Sequence, residues 1–229
     1  MKLKRTRKDS ELYGIIGLGR FGFALAKALA DVGKDIVVLD QNEAKINAAS
    51  AFTENAFVVD DLTRENLETC GVQNCDTVVV CIGERIDTSI LTTLTVLRLG
   101  VKQVIAKATT EEQGTVLETL GAKVVYPEHD MAVRLANHLI APHILEYIAL
   151  SPEINIIELS LTPRVDGRTV AELDLRKRFG LNIIAIKQDG QITTDIFPGT
   201  RLVTDSSLTV IGKKDGLLRF EAYLRQSGD

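Results

Sequence analysis

The chain is poor in the features that mark secreted, membrane-spanning or metal-held proteins. Its three cysteines, Cys70, Cys75 and Cys81, are an odd number without metal-ligand spacing, so they read as reduced thiols of a cytosolic protein. No apolar run is long enough to cross a bilayer, and the N-terminus lacks the apolar core of a signal peptide. Positive charge is not in excess: the net charge is −4, which gives no support for nucleic acid as a partner. Catalytic signatures are missing as well. There is no Walker lysine loop, nucleophile elbow or HExxH. The three histidines, His129, His138 and His143, lack zinc spacing and read as ordinary helix-surface or interface residues. No internal repeat or low-complexity segment is present.

With 229 residues the chain has room for one large or two small domains and for a core that needs no disulfide or metal. Residues 1–10 form a basic tail, beginning MKLKRTRK, with five basic residues in the first eight. It reads either as a solvated tail or as a contact for an anionic membrane surface or acidic partner.

From Leu12 to Tyr126, continuous apolar runs alternate with helical patterns. The runs are LYGIIG (12–17), DIVVLD (35–40), AFVVD (56–60), TVVVCI (77–82), QVIAKA (103–108) and AKVVY (122–126). Unbroken apolar runs are the signature of strands buried on both faces of a parallel sheet. The expected fold is α/β: a Rossmann-like, doubly wound parallel sheet with ligand at the carboxyl ends of its strands. Residues 128–140 predict an amphipathic helix, with Met131, Leu135, Leu139 and Ile140 on one face. Pro142 interrupts it, and HILEYIAL (143–150) predicts a second short helix, making Ala141-Pro142 a candidate hinge. Residues 151–229 then read as a small α+β lobe, with a hairpin turn at Gln188-Asp189-Gly190. The division is thus 11–141, a hinge and second helix over 142–150, and 151–229.

The chemistry is concentrated in GIIGLGRFG (14–22). Here Gly17-x-Gly19-x-x-Gly22 follows a strand and opens a helix, and Asp40 ends the next strand. Glycines in that context let backbone approach a phosphate at a helix N-terminus, where free N–H groups and the helix dipole favour anions. Asp40 would accept hydrogen bonds from ribose hydroxyls and would repel a 2′-phosphate by about 4 kcal/mol at ~4 Å and an effective dielectric of ~20, which disfavours NADP. Asp60, Asp61, Gly83, Glu84, Lys107 and Glu128 follow or end the other strands on the same rim. Asp61 reads equally as a solvated loop acid or an adenosine contact. Glu128 reads equally as a partner for a cation beside a phosphate or as a helix-capping acid. The C-terminal 76 residues, 154–229, are too few for an ordinary substrate domain. A nucleotide site without catalytic machinery points to a sensor rather than an enzyme.

The stretches IIGLGRFG (15–22), VVLDQNEAKINA (37–48), IDTSILTTL (86–94), LETLGAKVVYPEHDMAVRLA (117–136), LDLRKRFGLNIIAIK (173–187) and LTVIGKKDGLLRFE (208–221) together resemble the KtrA/TrkA family of RCK (regulator of potassium conductance) subunits of bacterial potassium transporters, KtrA-like members most closely. The resemblance implies a TrkA-N lobe and a TrkA-C (RCK C) lobe in a non-enzymatic regulator. It implies a homo-octameric ring, a tetramer of dimers, lying at the cytoplasmic face of the cell membrane under a potassium pore subunit of the KtrB/TrkH type. ATP and ADP would hold the ring in different shapes. By the resemblance, Gly17, Leu18, Gly19, Arg20, Phe21, Gly22, Asp40, Gln41, Asp61, Leu62, Ile82, Gly83, Lys107 and Glu128 line the nucleotide site. Arg20 would meet the terminal phosphate of ATP, and Glu128 would help hold Mg2+ or another cation. Cyclic di-AMP would bind the C-lobe near Val170, Ala171, Arg176 and Pro198. Two other readings stay open on these residues: an NAD(H)-binding redox sensor of the TrkA type, and an NAD-dependent oxidoreductase. Asp40 suits NAD as well as it suits ATP.

Overall fold

The computed structural model describes residues 11–140 and 143–225. The basic tail at 1–10 and the expected hinge at Ala141-Pro142 lie outside the described residues. Two compact units are present, Met1–Asp130 and Met131–Asp229.

In the first unit, β1 (Leu12–Ile16), β2 (Asp35–Asp40), β3 (Ala56–Val58), β4 (Thr77–Val80), β5 (Gln103–Lys107) and β6 (Lys123–Val125) form a parallel sheet in the order β3-β2-β1-β4-β5-β6. Helices α1 (Arg20–Asp31), α2 (Glu43–Ala49), α3 (Arg64–Thr69), α4 (Ile86–Arg98) and α5 (Glu111–Thr119) each follow one strand, and α6 (Pro127–Ile140) follows β6. The order reverses between β1 and β4, which is the switch point where open α/β sheets bind ligands.

Both sheet faces are covered, so successive strand residues enter opposite cores. Ile16, Val37, Leu39, Val78 and Val80 pack with Leu67, Val96 and Leu117. Ile15, Ile36, Val38 and Val79 pack with Ala26, Ile46 and Ala49. That is the physical reason for the unbroken apolar runs, each large aliphatic side chain contributing about 1.5–3 kcal/mol on burial. The expected strand positions all hold, and every strand but β2 ends one or two residues inside its apolar run. Helix starts differ among themselves. Asn42, Thr63 and Thr110 cap α2, α3 and α5 by accepting a first-turn amide, whereas α1 and α4 have no side-chain cap.

In the second unit, β7 (Ile144–Ala149), β8 (Ile154–Ser160), β9 (Leu181–Gln188), β10 (Gln191–Thr193) and β11 (Ser207–Lys213) form an antiparallel sheet in the order β10-β9-β11-β8-β7. Strand β8 alternates buried and half-buried residues, as a sheet with one core face requires. Its buried Ile157 and Leu159 join Leu208 and Val210 of β11 in a core closed by Leu173 of α7 (Val170–Leu173), Leu175 and Phe179 of α8 (Leu175–Phe179), and Leu217, Phe220 and Leu224 of α9 (Lys214–Arg225). The β9–β10 hairpin turns on Asp189 and Gly190, with φ of 50° and 77°, the two left-handed residues a tight hairpin demands.

One expectation is overturned. Residues 143–150 do not form a second helix: Ile144–Ala149 is an edge strand paired antiparallel with β8. A short apolar run does not distinguish strand from helix by period alone, and Ile144, Tyr147 and Ile148 suit a pleated edge. A bulge between Ile144 and Glu146 breaks the register that a sequence pattern would reveal. The amphipathic helix before it is present as α6, but Met131, Leu135 and Leu139 on its apolar face are exposed.

Candidate functional site

The glycine turn between β1 and α1 is built by three glycines with three different duties. Gly17 adopts φ +96° and donates its N–H to the Leu39 carbonyl at 2.8 Å, tying the turn to β2. A Cβ on Gly22 would sit 2.0 Å from the Gly17 carbonyl oxygen, so only glycine lets α1 pack this close to the turn. A Cβ on Gly19 would meet nothing within 4 Å, so the backbone there faces open space. Gly19 is also the residue before α1, whose first turn carries no acid. Free N–H groups and the positive end of a helix dipole therefore face that space.

Asp40 holds the turn in place. Its Oδ2 accepts the Leu18 N–H at 2.6 Å, its Oδ1 accepts the Asn42 N–H at 2.8 Å, and Lys45 stands 3.5 Å away. The carboxylate is buried, and its first duty is to satisfy backbone donors on both sides of β2. Sequence reasoning assigned it only to a ribose.

Above the turn lies a cavity of about 490 Å³. Of the expected residues, Gly17, Gly19, Arg20, Phe21, Asp40, Gln41, Asp61, Leu62, Ile82, Gly83, Lys107 and Glu128 line it. Leu18 and Gly22 do not: the Leu18 side chain is core beneath the turn, and Gly22 packs on Gly17 and Cys81. Asp60 and Glu84 also line the cavity, as their rim positions suggest. Lys45, Arg85, Thr88 and Thr109 line it too and were missed. Their signal was position alone: each lies on a helix or loop just beyond the carboxyl end of a strand.

At the far side, Lys107 and Glu128 form an ion pair at 2.5 Å, the lysine side chain 11% exposed and the glutamate 65%. The hydrogen bond from Lys107 holds the Glu128 carboxyl below its usual range, and Arg20 adds a weaker pull in the same direction. Lysine in an apolar strand is thus explained by a partner. The cation expected at Glu128 would take its remaining ligands from phosphate oxygens and water. Among the described residues no three His, Cys, Asp or Glu side chains cluster as a metal site, and the Glu128 carboxylate is already engaged by Lys107.

Beneath the cavity, burial pushes the Cys81 thiol up to about 12, while Lys107 acts weakly in the opposite sense. The neutral thiol is favoured in the fold. Its contribution is full below the ordinary thiol value of 9.0 and is lost as pH rises from there towards about 12. Iodoacetamide at pH 8 is expected to leave native Cys81 unlabelled while alkylating the urea-unfolded chain. Rapid labelling of the folded protein would contradict this.

In the second unit, the Ala171 N–H donates to the Pro198 carbonyl at 2.9 Å, and the Val170 N–H to Thr200 at 3.0 Å. Three of the four residues expected to hold a second ligand, Val170, Ala171 and Pro198, are therefore brought together. Arg176 is exposed on α8. His138 donates Nδ1–H to the Ile144 carbonyl at 3.0 Å and His129 lies 3.2 Å from Asp130, so both have ordinary local partners.

Comparison with known proteins agrees with this architecture. The TrkA-N domain model matches residues 13–127, and the TrkA-C domain model matches residues 156–225. The chain is 36% identical over 210 residues to the Ktr system potassium uptake protein C of Bacillus subtilis, covering 91% of this chain and 95% of that protein. It is 34% identical over 216 residues to the Ktr system potassium uptake protein A of the same organism, covering 94% and 97%. Among solved structures it is similar to the crystal structure of the GsuK RCK domain, with a TM-score of 0.50 and 25% identity over 94% of this chain. The chain spans about half, 47%, of that structure's length.

Proposed function

The chain belongs to the Ktr/Trk family of potassium-uptake regulatory subunits, a TrkA-N domain followed by a TrkA-C domain, and from that premise we propose that it senses adenine nucleotides by reading their phosphates. It is a regulatory subunit of a potassium uptake system rather than an enzyme. The observation that carries the nucleotide reading is Arg20. It opens α1 beside the bare Gly19 backbone, lines the cavity, and makes no ion pair among the described residues. A γ-phosphate adds negative charge that ADP lacks, and a fixed guanidinium is suited to sense the difference.

The output would be a membrane potassium pore, gated from its cytoplasmic side by a homo-octameric ring. The exposed apolar face of α6 supports association between copies. Moving a two-state ring from mostly one shape to mostly the other takes about 5.5 kcal/mol of differential binding, or about 0.7 kcal/mol for each of eight sites. One charge-assisted contact per subunit is enough. The juxtaposed Val170, Ala171 and Pro198 support a second ligand, cyclic di-AMP, on the C-lobe.

Isothermal titration with ATP, ADP, NAD and NADH, alongside a measurement of particle mass, tests this reading. ATP and ADP are expected to bind with different affinities, and Arg20→Ala is expected to bring them together while the melting curve stays unchanged. Unaltered discrimination in Arg20→Ala would remove Arg20 as the reader. Preferential binding of NADH would favour the redox-sensor alternative, which the placement of Asp40 at the end of β2 supports.

A further inference from the structure

The nucleotide reading rests on one arginine, but the cavity holds a second with a parallel placement. Strands β1 and β4 are neighbours, and Ile16, the last residue of β1, pairs with Val80, the last of β4. The two strands therefore end level, and the turns leading to α1 and α4 leave the same sheet edge side by side. Arg20 is the first residue of α1, and Arg85 immediately precedes α4. Both line the cavity.

Charge balance separates these two from the other cations. Lys107 is bound to Glu128, and Lys45 lies beside Asp40. Among the described residues Arg85 has only Asp87 as an ion-pair partner, at 4.0 Å, with side chains 66% and 73% exposed. A pair that long and that wet holds a guanidinium weakly. Arg85 also stands at the positive end of a 13-residue helix with no side-chain cap, where a cation is disfavoured and the exposed Asp87 of the first turn is the acid beside it. Glu84 on the same rim and Asp87 in the first turn of α4 would by themselves repel phosphate, and Arg85 is the cation that offsets them at this edge. The α1 turn and the loop before α4 thus bring two arginines to one cavity.

We propose that Arg85 is a second phosphate-reading residue, acting with Arg20 to set specificity for nucleoside triphosphate over diphosphate. The inference rests on the adenine-nucleotide reading above. It differs in assigning recognition to the loop after β4 as well as to the glycine turn.

The test is calorimetric titration of the full-length protein with ATP, ADP and AMP, using wild type, Arg85→Gln and Arg85→Lys. In Arg85→Gln the affinity for ATP is expected to fall about tenfold or more, that for ADP less, and that for AMP by less than about twofold. Arg85→Lys retains charge without the planar fork and is expected to recover part of the ATP affinity. Arg85 is well exposed, so thermal unfolding of both variants is expected to match wild type. Equal losses for ATP, ADP and AMP, or no loss for any, would overturn the assignment. A wild type that binds all three alike would overturn the underlying reading as well, and would do so before any variant is made.

Discussion

Gly22→Ala is expected to destabilise the first unit by about 3 kcal/mol or more and to abolish nucleotide binding with it. Two effects compete. Alanine in place of a helical glycine contributes about 1 kcal/mol of stability through backbone entropy, and Gly22 is the third residue of α1. Against this, the new methyl would lie 2.0 Å from the Gly17 carbonyl oxygen and 3.1 Å from the Cys81 Cβ. The nearest atom is backbone, in a turn already fixed by the Gly17–Leu39 hydrogen bond, so it has no rotamer into which to retreat. The clash wins. Gly19→Ala is the informative contrast. Gly19 has φ −67° and ψ −176°, which any residue adopts, and its added methyl would touch nothing within 4 Å. That methyl would instead occupy the space through which the phosphate of the proposed nucleotide would approach the backbone. Gly19→Ala is expected to melt like wild type and to lose at least about tenfold in ATP affinity, a loss that circular dichroism and titration separate directly. If both variants lost only affinity, or both only stability, the division of labour within the turn would be wrong.

These glycines show why much of the fold was legible in the sequence. A strand sandwiched between helix layers is apolar on both faces along its middle, so β1, β2 and β4 announce themselves without reference to neighbours. The turn reads equally well because its requirements are steric and local. The strand β7 was not legible, because what makes Ile144–Ala149 a strand is the unpaired edge of β8 beside it, a partner in the second sheet. The site was legible where a strand end or the turn just after it carries the polar group, as at Asp40, Lys107 and Glu128, and less so where pairing decides it. That Lys107 meets Glu128 follows from β5 and β6 being adjacent, and sequence spacing does not reveal which cation meets which acid. Arg85 was hidden for the same reason. Its place in the same cavity as Arg20 comes from the β1–β4 pairing, between strands that are three apart in chain order.

Asp40→Ala is expected to cost about 2–5 kcal/mol, an effect that a purely ligand-binding role would not produce. Asp40 accepts the Leu18 and Asn42 amides, the first of them in a buried hydrogen bond. Removing the carboxylate leaves both donors without that acceptor, and an unsatisfied buried donor costs about 1–3 kcal/mol. Asp40→Asn does not avoid the loss. One amide oxygen can replace one carboxylate oxygen, but the NH2 group then faces the other backbone N–H, donor against donor. Lys45, 3.5 Å away, loses its charged neighbour at the same time. Amide hydrogen exchange gives the sharpest readout. In both variants the Leu18 and Asn42 amides are expected to lose protection, while those of the second unit keep theirs. A carboxylate that served only a ribose would leave Leu18 as protected as in wild type when no nucleotide is added. Because the same oxygens brace the glycine turn, ATP and NAD affinities are expected to fall together in Asp40→Ala, whereas Arg20→Ala separates ATP from ADP. The two substitutions therefore distinguish the residue that builds the site from the residue that reads its occupant.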